Sequence, residues 1–221
     1  MGDGHSATEP RYAPASEPSV GGGASAADDA MTRRHFVLQD DRPDRLGEID
    51  LAHLDPALRC LLFTDGTVTR TLEVQALSRV SVEVVMQDET RAAEQVASYL
   101  DVPEGTETVR RRVVIGAGPE KPVMWAESHI VPSRLPAGFL DVLGSAADGI
   151  GQSLQQVQLE SWRDMLWFGL DALPEWSGGS PRSTALTRLY RVITGGRPAL
   201  LISESFAVAR RDGAYRLDWP D

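Results

Sequence analysis

The chain has 221 residues, with 22 Lys and Arg against 32 Asp and Glu, a formal net charge of −10. That balance disfavours non-specific nucleic-acid binding. The single cysteine, Cys60, excludes an intrachain disulfide, and no 18-residue apolar run offers a membrane span.

Residues 1–30 are rich in Gly, Ala, Ser and Pro and lack an apolar run to bury, so they read as a disordered tail. They show neither the charged n-region nor the apolar h-region of a secretory signal. Residues 31–221 then form a single, cytoplasmic domain with enough chain for a sizeable core. Met31 is an alternative start. His5, His35, His53 and His129 lack metal-ligand spacing, and there is no HExxH, CxxC, phosphate loop or dinucleotide fingerprint. Neither a metal nor an organic cofactor is implied. Cys60 sits in an apolar run and reads as a buried small side chain.

Arg34 to Asp50 is polar and reads as an arm or loop. Asp55-Pro56 opens a short helix, with Asp55 as cap and Leu58, Leu61 and Leu62 on its apolar side. Asp65-Gly66-Thr67 ends it. Val68 to Val74 alternates and predicts a strand, with Arg70 the cation on the face of Val68, Leu72 and Val74. Val80, Val82, Val84 and Met86 line a second strand. Asp88 to Leu100 predicts a helix through Ala92, Val96 and Leu100.

Val109 to Val131 reads as a hairpin. Arg111 is the odd charge on the face of Val109, Val113 and Ile115, and Arg110 and Arg112 point the other way. A solvated edge would look the same. Leu135 to Leu143 is a short helical piece. In Ser145 to Gln152, SAADGIGQ, the glycines allow close approach to a ligand or simply a turn. Ser153 to Phe168 predicts a helix with Leu154, Val157, Met165 and Phe168 inward; Trp162 and Trp167 read as core or groove lining. Leu173 to Ser183 is a loop.

Leu186 to Val208, LTRLYRVITGGRPALLISESFAV, is the most informative stretch. Gly195-Gly196 can supply the positive φ of a tight turn, and Pro198 can open the return strand. Leu200, Ile202, Glu204, Phe206 and Val208 share a face, so Glu204 is the one carboxylate among apolar neighbours. Such a group is paired, protonated or turned to a ligand cavity. A structural ion pair and an edge strand with Glu204 near solvent stay open beside the ligand reading. This hairpin and the one at Val109 to Val131 both end in a strand carrying Glu-Ser, a weak sign of duplication. Arg210 to Asp221, with Tyr215, Leu217 and Trp219, offers one last strand. The pattern is α+β: an antiparallel sheet with helices packed on one side.

Between Leu54 and Val208 the chain resembles the chorismate pyruvate-lyase family, especially its actinobacterial branch. DGTVTR at Asp65 to Arg70, RRVVI at Arg111 to Ile115 and, above all, RLYRVITGGRPALLISESF at Arg188 to Phe206 carry the likeness. The resemblance implies a lyase that splits chorismate into 4-hydroxybenzoate and pyruvate without a cofactor. It implies that Glu204 is the catalytic glutamate and Arg111 the carboxylate-binding arginine. It also implies that Val68 and Ile150 line the product pocket, with Thr69 and Arg70 beside the first and Gly149 and Gly151 around the second. Arg70 or Arg191 is a candidate for the second carboxylate. Where the family often has Pro-Leu-Gly, this chain has Gly149-Ile150-Gly151. That departure keeps a related lyase open, one acting on a modified chorismate or giving another hydroxybenzoate. A non-catalytic small-molecule binding domain is the other alternative, because regulator domains share the fold. The expected partner is the substrate alone, with no nucleic acid or membrane. The expected state is a monomer, with a dimer left open.

Overall fold

The computed structural model describes residues 24–117, 122–145, 149–178 and 184–219. Its strands are β1 (Ser81–Arg91), β2 (Glu107–Gly116), β3 (Pro122–Ile130), β4 (Trp162–Ala172), β5 (Thr184–Thr194), β6 (Arg197–Arg211) and β7 (Ala214–Leu217). They form one antiparallel sheet in the order β1-β2-β3-β6-β5-β4, with β7 paired to the far end of β6. The helices are α1 (Ala24–His35), α2 (Pro56–Phe63), α3 (Val68–Ala76), α4 (Glu94–Leu100), α5 (Phe139–Ser145) and α6 (Ile150–Gln156). This is the expected α+β architecture. Among the described residues no helix is long and apolar enough to cross a membrane.

The main core lies between one face of the sheet and α2, α3, α5 and α6. Leu200, Ile202, Phe206 and Val208 of β6 meet Leu58, Leu61, Leu62, Leu72, Leu143 and Leu154 there. A smaller cluster on the opposite face joins Leu201, Leu189, Leu166 and Trp167 to Leu100 and Val96 of α4. Central strands are therefore buried on both sides, as in Leu200–Ile202. Gly195 and Gly196 take φ of +55° and +76° and close the β5–β6 hairpin in a two-residue turn, the pairing of positive φ values that matches strand twist.

Several local expectations give way. Val68–Ala76 is helix, not strand, because Val68 and Leu72 are four apart and both buried, whereas Val74 is 72% exposed. Over so short a stretch the two periods predict overlapping apolar positions. Ser153–Phe168 is not one helix: α6 stops at Gln156 and β4 follows. Met165–Phe168 is covered on both faces, and a doubly buried strand loses the alternation that would announce it. Asp88–Arg91 belongs to β1, where Asp88 opposes Arg110 and Arg91 opposes Glu107, so α4 starts only at Glu94. A bulge between Val84 and Met86 turns Met86 to the face of Arg112, away from Val82 and Val84.

The expected arm, Arg34–Asp50, is part of the sheet's cover. Val37 and Leu38 donate backbone hydrogen bonds to Met165 and Leu166, and Gly47 pairs with Leu170 along the outer edge of β4. Phe36 is buried against Phe63 and Phe168. Residues 24–30, the end of the expected disordered tail, form the first turns of α1. The run is alanine-rich, with Arg33, Arg34 and His35 at the negative helix end. Residues 1–23 of that tail lie outside the described residues. Cys60 is exposed on α2 rather than buried, since Leu58, Leu61 and Leu62 take the inward positions.

Candidate active site

Glu204 stands at the centre of the helix-covered face, 5% exposed, between Ala126 of β3 and Arg188 of β5. Arg188, fully buried, donates from Nε to Glu204 Oε2 at 2.7 Å, with Nη2 also 2.7 Å from that oxygen. Its Nη1 donates to the carbonyls of Leu61 and Leu62 at 2.7 Å and of Thr64 at 3.0 Å. The first two are among the carbonyls that the end of α2 leaves without intrahelical partners. The helix itself begins where Asp55 accepts from the Leu58 amide at 2.7 Å. Tyr190, two residues along the same face, donates its hydroxyl to Glu204 Oε1 at 2.9 Å. Burial, then the neighbouring Glu204 charge, pushes the Tyr190 phenol well above its ordinary range, so it serves here as a hydrogen-bond donor.

Arg111 enters the same face from β2, opposite Ser128. It is 2% exposed, and Nε and Nη1 are buried with no hydrogen-bond partner among the described residues. Burial lowers its pKa from the ordinary arginine range. A buried guanidinium in this condition calls for an anion. Arg111 and Glu204 are two strands apart and two residues out of line, roughly 12 Å between Cα atoms. Ser128, Ala126 and Ile202 lie on the sheet face between them.

The roof has two segments, Thr67–Thr69 at the start of α3 and Gly149–Gly151 at the start of α6. They touch closely: a Cβ on Gly151 would lie 3.1 Å from Thr67 Oγ1 and 3.6 Å from Arg163 Nη2. Arg163, the second residue of β4, lines the cavity beside them. The space beneath them is about 60 Å³, well under the roughly 300 Å³ at which small-molecule sites begin.

Of the residues expected at the site, Glu204, Arg111, Val68, Thr69, Gly149, Ile150 and Gly151 come together here. Arg70 does not: it is exposed on the outer side of α3 and donates to Gln155 at 3.2 Å. Arg191 is on the opposite face of the sheet, ion-paired with Asp164 and bonded to the Tyr99 carbonyl. Odd and even positions of β5 face opposite ways, so Arg191 cannot share a cavity with Tyr190. Ala146–Asp148 of the expected glycine loop lie outside the described residues, and Ile150–Gln152 are helical rather than loop. Sequence reasoning missed Arg188, Tyr190 and Arg163 as site residues.

A larger cavity, about 510 Å³, opens on the opposite face among Tyr99, Trp125, Trp167 and Trp176. Two of its three carboxylates already have partners. Glu127 is paired with Arg112 and His129, which hold its carboxyl down at about 2. Asp171 is paired with Arg45. The smaller cavity, with its unpaired guanidinium facing an anchored carboxylate, has the chemistry of a site. The two Glu-Ser pairs are also unlike: Glu127 opposes Ser203, and so points away from Glu204.

A family described as Chorismate pyruvate-lyase Rv2949c-like matches residues 62–212. The chain belongs to that lyase family. Curated chorismate pyruvate-lyases are similar to it: one from Mycobacterium tuberculosis H37Rv is 29% identical over 168 residues, covering 73% of this chain and 84% of the relative. One from Mycobacterium leprae is 27% identical, over 73% and 79%. Among solved structures, PhnF from Mycobacterium smegmatis matches with TM-score 0.50 at 15% identity, over 65% of this chain and 64% of that one. Gene product SA0254 from Staphylococcus aureus matches with TM-score 0.50 at 14% identity, over 65% and 89%. At these identities the two structures show the fold alone.

Proposed function

We propose that the protein is a chorismate pyruvate-lyase that converts chorismate to 4-hydroxybenzoate and pyruvate without a cofactor, with Glu204 moving the proton and Arg111 holding the ring carboxylate. The observation that carries this reading is the pair itself: an unpartnered buried guanidinium and an anchored carboxylate facing one apolar-walled cavity.

The reaction needs no redox step. The ring loses a hydrogen as a proton, the ring carbon–ether oxygen bond breaks, and the enolpyruvyl fragment leaves. That fragment then takes up a proton to become pyruvate, while the ring becomes aromatic. One group able to accept and return a proton within reach of the ether serves both ends. Glu204 is suited by placement: Arg188 and Tyr190 each fix one of its oxygens, so its position does not have to be found during the reaction. Arg111 would grip the ring carboxylate with two parallel bonds and set the ring's distance from Glu204. Met124, Ala126 and Ile202 offer the ring a flat apolar bed. Thr67–Thr69 and Gly149–Gly151 close over it and exclude water.

Incubating the purified protein with chorismate, separating the hydroxybenzoate isomers and measuring pyruvate tests the proposal. Equimolar 4-hydroxybenzoate and pyruvate are expected. A different isomer would redirect the reading to the related lyase that the Gly149-Ile150-Gly151 roof leaves open. Tight binding of 4-hydroxybenzoate with no turnover would make the domain a binding module.

A further inference from the structure

We infer that Arg163 is the second carboxylate-binding residue of the cavity, the one that takes the carboxylate on the substrate's ether side chain; this rests on the lyase reading above. The cavity is lined by Arg111, Arg163 and Glu204, and the Glu204 charge is already met by Arg188 from behind the cavity wall. Two positive charges remain for a substrate that carries two negative ones.

Arg111 reaches in from β2 and Arg163 from β4, on either side of Glu204 on β6. Arg163 shares the cavity's face with Tyr190 and Glu204, since its cross-strand partner is Val192. Its guanidinium carbon is 5.8 Å from the centre of the Tyr190 ring, whose hydroxyl bonds Glu204. An anion held by Arg163 therefore sits on the side of Glu204 remote from Arg111.

Arg163 is positioned but not neutralised. Nη1 donates to the Asp65 carbonyl, Nε is buried without a hydrogen-bond partner, and no ion pair is formed among the described residues. The absence of a side chain at Gly151 leaves Nη2 open toward the roof, where a Cβ would stand 3.6 Å away. Arg70 and Arg191 are both engaged outside the cavity. Because the product keeps only the ring carboxylate, the assignment separates substrate from product: Arg163 contributes to binding the first and not the second.

Calorimetry with two stable ethers tests this directly: 3-(carboxymethoxy)benzoate, which has both carboxylates, and 3-methoxybenzoate, which has the ring carboxylate alone. The wild type is expected to prefer the dicarboxylate by about tenfold or more, the worth of one charge-assisted contact. Arg163→Met should abolish that preference while changing 3-methoxybenzoate binding less than about threefold. Arg163→Lys should restore part of it, as charge without the planar fork. With chorismate, KM should rise about 10- to 100-fold in Arg163→Met, with 4-hydroxybenzoate affinity held. A preference that survives in Arg163→Met, equal losses for both ethers, or no preference in the wild type would overturn the assignment. Failure of the wild type to release pyruvate from chorismate would instead overturn the lyase reading, and the ether comparison would still report on Arg163.

Discussion

Replacing Arg111 by Met should make the protein more stable and nearly unable to bind its ligand. The side chain is 2% exposed and two of its three nitrogens lack partners among the described residues. The folded state thus bears the desolvation of a cation without the compensation of an ion pair. Met fills similar volume with no charge, and substitutions of this kind are neutral or stabilising by about 1–4 kcal/mol. In the bound state the guanidinium makes two charge-assisted hydrogen bonds at about 1.5–3 kcal/mol each. Their loss should weaken 4-hydroxybenzoate binding by roughly 10²–10⁴-fold. Lys at this position keeps the charge but not the fork and should not restore affinity. Urea unfolding at unchanged m-value reports the first effect and calorimetry the second. A Met variant that is destabilised and binds 4-hydroxybenzoate normally would refute the reasoning, because Arg111 would then be a structural residue with its own partner.

Arg112→Ala should do the opposite: it removes a partner of Glu127 on the other face, costing about 1 kcal/mol in urea melts, with 4-hydroxybenzoate affinity within twofold. Glu127 itself titrates at about 2 rather than 4.5, chiefly through His129 and Arg112. Its folded pKa is depressed, so its contribution is full above about 4.5 and fades as pH falls toward 2. The stability gap between wild type and Glu127→Gln should shrink from pH 7 to pH 3 in urea melts. Gly169→Ala should destabilise by about 1–3 kcal/mol, since a Cβ there would lie 2.9 Å from the Gly47 carbonyl oxygen and from Leu46 Cβ; thermal melting checks it. Glu204→Gln should cut pyruvate release from chorismate by roughly 10²–10⁴-fold. It should also lower stability, because Arg188 loses its counter-charge. Near-native turnover would remove Glu204 from the chemistry.

The sheet's centre was legible because its signals are local. Gly195-Gly196 fixes the turn, Asp55-Pro56 fixes the start of α2, and strict alternation from Leu200 to Val208 sets Glu204 among apolar neighbours. What was not legible depends on register or on contacts far apart in the chain. A two-residue turn pairs Thr194 with Arg197, and continuing that register would set Glu204 opposite Thr187. A bulge between Val192 and Ile193 shifts the pairing by one, so the partner is Arg188. Nothing in the sequence marks that shift except Pro198, which cannot donate to the ladder. Arg163 was hidden by the reading of Ser153–Phe168 as one helix: with β4 unrecognised, its face could not be assigned. Arg70 was a candidate on the pattern of a cation among apolar residues, and that pattern failed because the stretch is helical. Arg191 is on the second face of the sheet, which is also covered.

Arg188 resolves the choice that the sequence left at Glu204. A buried carboxylate on an apolar face was expected to be paired, protonated, turned to a ligand cavity or near solvent on an edge strand; in the structure it is an ion pair that also lines a cavity. One oxygen is held by Arg188 and the other by Tyr190, while the carboxylate still lines the cavity. The two roles support each other. A carboxylate free in a dry cavity would be expensive to keep charged and loosely placed, whereas this one is tied through a single guanidinium to three carbonyls at the end of α2. Arg188 itself has no opening to the cavity, being fully buried. It acts by positioning, and its planar fork is what lets one cation reach the helix end and Glu204 together. Lysine has no second arm for that geometry. The position of the proposed proton carrier is thus set by the packing of α2 against β5 and β6, so the core and the candidate chemistry share the same atoms.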